Sequence, residues 1–260
     1  MCWSCQASIF AFSFAWLCAA GTYWLPAPTE KTKETHLWFT SLFAVVALIQ
    51  LIEAVMWRTI NDKTLLLVQK QNKLNILTRS IWIALFFQCV TNCLCLIHFG
   101  FAGFSHRHHR SVAVEPDSLV WYTWWIISSC CWEMRKAFLV TAKKWTTVIG
   151  PHGHLLWCSA LVPTSMLPNN QTVTENINEG ELQYVPQFSW HSGTVYMVGL
   201  CFPLFWLPMY STITLVALFT SLAYARYRSS QGETGSHWCY VGSFLSALPL
   251  LIFAKTQLLG

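Results

Sequence analysis

Apolar segments about as long as a bilayer is thick recur throughout this sequence. A spanning helix needs about 20 predominantly apolar residues. Seven segments meet or approach that length: residues 7–25, 37–57, 81–101, 119–140, 194–207, 209–224 and 238–258. The fifth and sixth share one run from Thr194 to Tyr224, which Pro203 and Pro208 interrupt, and a tight turn is expected at Leu207-Pro208-Met209. The first ends at Pro26-Ala27-Pro28. No Lys or Arg precedes it, so it reads as a retained anchor and not as a cleaved signal peptide. The expected fold class is therefore all-α: one polytopic transmembrane helix bundle over residues 1–260, with the lipid bilayer as its partner.

Composition points the same way. Charged residues make up 10% of the chain, against about 25% in soluble proteins. That is too little charge to cover a surface facing only water. The 15 Trp suit many crossings, because the indole ring favours the headgroup level. The net charge of +5 is scattered over several connections. No basic arm or basic helix face results, which argues against nucleic acid as a partner. With seven spans, 11 of the 16 Lys and Arg fall on one side and 5 on the other. The positive-rich side is expected to be cytosolic, which sets the N-terminus inside.

One motif resists this topology. Asn170-Gln171-Thr172 is a glycosylation sequon and would lie on the cytosolic side. An eighth span at residues 145–167 would move it outside. Gly150, Pro151 and Gly153 make that segment a poor lipid-facing helix, so seven spans are preferred. A re-entrant or interfacial segment at 149–167 is the compromise. The acidic connection from Pro168 to Gln187 reads as a solvated loop.

Polar groups inside a span are costly and draw attention by default. Gln50 and Glu53 lie three residues apart on one face of the second segment, with Trp57 a turn further on. Gln88 and Asn92 lie one turn apart in the third. A polar cavity formed by Gln50, Glu53, Gln88 and Asn92 would be a proton, cation or amine-ligand site. The competing expectation is that these groups hydrogen-bond between helices and hold the bundle together. Glu133, Arg135 and Lys136, near the end of the fourth segment, read as a charged anchor whose long side chains snorkel to the surface.

The His residues suggest less. His106-Arg107-His108-His109-Arg110 reads as a surface tract. His152 and His154 flank a glycine in what looks like a defined turn, and His237 opens the last segment. Three His can ligate a catalytic zinc, but no HExxH motif is present. Lys255 has no carboxylate in its own helix, which argues against a retinal Schiff base. Most of the 11 Cys sit in apolar runs and read as small hydrophobes. No metal site and no particular cofactor follows from these residues.

Three patches resemble motifs of an uncharacterised family of multi-spanning membrane proteins from large DNA viruses and from algae and protists. They are Gln50-Leu51-Ile52-Glu53 with Trp57, Gly150-Pro151-His152-Gly153-His154-Leu155-Leu156-Trp157, and Gly235-Ser236-His237-Trp238-Cys239. The resemblance implies a membrane location and a helical bundle, and no reaction. It singles out Gln50, Glu53, His154 and Trp238.

The leading expectation is a non-enzymatic transporter, channel or small-ligand-binding bundle centred on Glu53, with Gln50, Trp57, Gln88 and Asn92 around it. His152, His154 and Trp238 form a second candidate site. Two alternatives stand beside it: a membrane-embedded, metal-dependent lipid enzyme using His152, His154 and His237, and a structural membrane protein.

Overall fold

The computed structural model describes residues 4–26, 30–100, 116–138, 144–150, 152–160, 184–185, 190–206, 211–229 and 233–252. The His106–Arg110 tract, the sequon at Asn170, the turn at 207–210, Lys255 and most of the 168–187 connection lie outside the described residues.

The described residues are mostly helical, with seven α-helices. They are α1 (Cys5–Trp24), α2 (Glu30–Asn61), α3 (Leu67–Cys95), α4 (Pro116–Phe138), α5 (Trp190–Cys201), α6 (Ser211–Arg228) and α7 (Thr234–Phe244). Three stretches, Cys5–Trp24, Lys33–Asn61 and Leu67–His98, are long and apolar enough to cross a membrane. The remaining expected spans correspond to shorter or more polar helices. The 12 residues of α5 reach about 18 Å at 1.5 Å per residue, short of a bilayer core.

Ser4 caps α1, its hydroxyl accepting the Ala7 N–H at 3.3 Å. The helix ends where Leu25 turns extended ahead of Pro26. Its buried face is built from small residues: Ser8, Ala11, Ala15, Cys18, Ala19 and Thr22. Its large apolar side chains, among them Phe10, Leu17 and Trp24, face outward. A helix of a water-soluble protein shows the reverse arrangement. The small face lets α1 lie close along α2, where the Thr40 hydroxyl donates to the Ala19 carbonyl at 3.2 Å.

α2 and α3 form the centre, burying Trp38, Phe39, Ile49, Met56, Ile81 and Phe86 in one apolar core. Both start well before the apolar segments expected at 37 and 81, because good helix formers such as Glu34, Lys70, Gln71 and Lys73 continue the helix into polar sequence. Asp62 organises the turn between them, accepting from the Thr64 backbone N–H at 2.9 Å and its hydroxyl at 2.6 Å. Lys70 closes the end of α2 by donating to the Ile60 carbonyl at 2.7 Å. α5 crosses α3 closely at Gly199, where an added Cβ would stand 2.7 Å from the Cβ of Cys89.

The fold departs from all-α at Trp145–Leu167. Neither an eighth span nor a re-entrant helix forms over its described part. Residues 144–160 make an antiparallel hairpin of β1 (Lys144–Ile149) and β2 (Leu155–Ala160), extended by the two residues of β3 (Tyr184–Val185) in the order β1-β2-β3. Thr146, Thr147, Val148 and Ile149 are all β-branched, which favours a strand. Gly153, at φ 78°, takes a left-handed turn conformation that suits glycine, and its N–H closes the turn onto the Gly150 carbonyl at 3.0 Å. The sheet lies on the polar first half of α3. There Asn75 donates to the Trp145 carbonyl at 2.8 Å, and the Thr78 and Thr147 hydroxyls meet at 2.7 Å.

Candidate functional site

The three sequence patches, separated by up to about 180 residues, converge in space. On α2, Glu53 is buried and accepts from Gln50 Nε2 at 2.9 Å through one carboxyl oxygen. Through the other it accepts from the Ser236 hydroxyl of α7 at 2.5 Å. Trp57 is buried in the apolar core nearby on the chain. One turn before Ser236, Glu233 enters the hairpin turn. Its Oε1 accepts the backbone N–H of His152 at 3.0 Å and of His154 at 3.2 Å, and its Oε2 meets His152 Nδ1 at 2.8 Å. Gly150 makes room for this carboxylate, since a Cβ there would overlap it. The His154 ring stacks on His237 with centroids 4.4 Å apart, and Trp157 covers Gly235.

This centre clamps the hairpin onto the start of α7, and α7 onto α2. Burial pushes His154 down to about 4, and the neighbouring His237 and His152 rings push the same way, against the opposing pull of Glu233. His154 is thus a neutral ring at physiological pH. The imidazoles do not converge on a metal: among the described residues, no group of three or more His, Cys, Asp or Glu could hold one.

Gln88 and Asn92 belong elsewhere. Asn92 accepts from Trp38 Nε1 at 2.6 Å and donates to the Leu200 carbonyl at 2.7 Å, tying α2, α3 and α5 together. Gln88 accepts from the Tyr196 hydroxyl at 3.1 Å, while its Nε2 is buried with no hydrogen-bond partner among the described residues. Among the described residues, no hydrogen bond joins Gln50 or Glu53 to Gln88 or Asn92.

A cavity does exist at Gln88. It is partly open, of about 40 Å³, and lies among α2, α3, α5, α6 and α7, with room for about three water-sized spheres. Its walls are almost wholly apolar, with Phe43, Leu200 and Leu218 among them, and Gln88, Tyr196 and Thr214 also border it. The Thr214 hydroxyl, like Gln88 Nε2, is buried without a partner among the described residues. Trp238 lines the cavity edge-on to Tyr196, held by its indole N–H donating to Ser221 at 2.9 Å. Glu53, Gln50 and Asn92 are not part of its lining.

Two carboxylates were missed or misread from sequence. Glu133 is not an exposed anchor: it is fully buried, and the Ser192 hydroxyl donates to it at 2.8 Å. Arg135 is exposed and lies over the Trp132 ring, 5.2 Å from its centroid. Glu233 drew no notice, because one carboxylate in a polar connection carries no signal until the hairpin turn folds onto it.

Comparison with family models, curated proteins and solved structures finds no match to this chain.

Proposed function

We propose that this chain is a multi-spanning membrane protein whose helical bundle binds a small molecule in the cavity at Gln88. Membrane residence is supported by the three long apolar helices and by the arrangement of α1, with small residues inward and Phe10, Leu17 and Trp24 outward. Lipid-embedded helices associate through small residues and leave large apolar side chains to the lipid. The imbalance of Lys and Arg between the two sides favours a cytosolic N-terminus.

The observation that carries the binding reading is Gln88. A buried amide donor left unmade costs about 1–3 kcal/mol, and the residue that carries it is one of those lining a partly open, largely apolar cavity. Glu53 is not among the residues that line this cavity, and its role in this reading is to join α2 to α7 and not to carry an ion.

The test is native mass spectrometry of the full chain released from lipid nanodiscs. Wild type retains a bound small molecule. Gly242→Leu, which projects into the cavity wall where an added Cβ meets nothing within 4 Å, loses it. Identical spectra, with no adduct in either protein, would contradict the reading.

A further inference from the structure

We propose that the hairpin of β1 and β2 is an acid-released flap, which stays anchored on α3 and lets go of α7 when the His154–His237 pair takes up a proton.

The hairpin has two attachments of different chemistry. On α3 the contacts are uncharged: Asn75 donates to the Trp145 carbonyl, and the Thr78 and Thr147 hydroxyls meet. Amides and hydroxyls of this kind do not titrate in mild acid. On α7 the contacts are ionisable. His154 of the hairpin and His237 of α7 are both buried, and their rings lie nearly parallel, 15° apart, with centroids 4.4 Å apart. Two imidazolium rings at that separation repel, and even one is costly to bury. The stack is therefore favoured while both rings are neutral.

The surrounding groups do not cancel this. From α6, Arg228 opposes a positive charge on His237, and Tyr224 meets that ring edge-on. Within the hairpin, His152 opposes a charge on His154. Glu233 and the Ala225 carbonyl pull the other way, but burial outweighs them and both rings are held below their usual range. Glu53 of α2 is already engaged by Gln50 and Ser236. Acid also charges exposed His152, which firms its own contact with Glu233; with one partner open to water, that gain is small.

In the released flap His154 meets water and protonates near 6.5; closed, it does so only at about 4. The proton balance then makes acidification from pH 7.5 to pH 5.0 favour release by at least about tenfold. Release frees the His152 and His154 amides from Glu233 Oε1 and lifts Trp157 from Gly235.

The test is hydrogen–deuterium exchange, read by mass spectrometry on the full chain in nanodiscs at pH 7.5 and pH 5.0, with exchange times scaled to the intrinsic rate at each pH. Peptides covering 150–157 should lose protection at least tenfold at pH 5.0, while peptides of α2 and α3 keep theirs. His154→Phe and His154→Gln, neither of which can carry the charge, should each reduce that loss severalfold. Glu233→Ala should show the released level already at pH 7.5. Equal protection of 150–157 at the two pH values overturns the proposal. A full response in both His154 variants overturns it too. So does a parallel loss of protection in α2 and α3, which is unfolding of the bundle and not release of a flap.

Discussion

Glu233 and Glu53 illustrate how differently two buried carboxylates serve one centre. Glu233 satisfies two backbone N–H groups and a ring nitrogen of the hairpin turn. Replacing it with Ala strands those donors, at about 1–3 kcal/mol for each one left buried. Glu233→Ala should therefore lower stability by at least about 2 kcal/mol, read as a clear drop in the thermal midpoint in detergent. Glu53 accepts only from Gln50 and Ser236. Gln at this position still accepts from Ser236, and its new amide N–H can reach Gln50 Oε1, which has no partner among the described residues. Glu53→Gln should leave the midpoint almost unchanged, whereas Glu53→Leu should lower it. A large loss in the Gln variant would mean that the charge itself is required. His154 adds a pH dependence. Its ring is held neutral down to about 4 in the fold, while in the unfolded chain it protonates near 6.5. The unfolded state binds the extra proton between those values, so stability falls as pH drops from about 6.5 to about 4 and levels off below. His154→Phe, which keeps a ring against His237, should flatten that part of the profile.

Between elements, close approach decides the packing. α5 meets α3 where Gly199 faces Cys89, and an added methyl would stand 2.7 Å from the Cys89 Cβ. Gly199→Ala should separate the two helices and cost about 1–3 kcal/mol. Because Tyr196 and Leu200 on the same helix line the cavity, ligand retention should fall with it. The long helices were legible in the sequence because unbroken apolar runs of bilayer length have few other solutions. The hairpin was not. Thr146–Ile149, half of it threonine, and the apolar Leu155–Trp157 are short runs, and periodicity alone cannot assign such runs to strand or helix. What decides is Gly153 in its left-handed turn and the bed of Asn75 and Thr78 on α3. The same holds for the site. Gln50, Glu53, His154 and Trp238 could be singled out one by one. Their joining through Ser236, Glu233 and the His154–His237 stack is long-range pairing that no local pattern encodes. Gln88 was visible as a polar group in an apolar run, but the cavity beside it depends on Thr214 and Gly242, which look ordinary in sequence.

For the whole molecule, stability depends on which solvent surrounds the helices. The buried face of α1 carries small residues, while large side chains such as Phe10, Leu17, Trp24, Trp121 and Trp125 are exposed. In water, so much exposed apolar surface would drive aggregation; in lipid it is the expected outer surface. The most direct measurement is alkaline carbonate washing of membranes from cells expressing the full chain, followed by sedimentation. The protein is expected to stay with the membrane pellet and to enter solution as a single species only with detergent. A monodisperse protein in the carbonate supernatant, free of detergent, would contradict membrane residence.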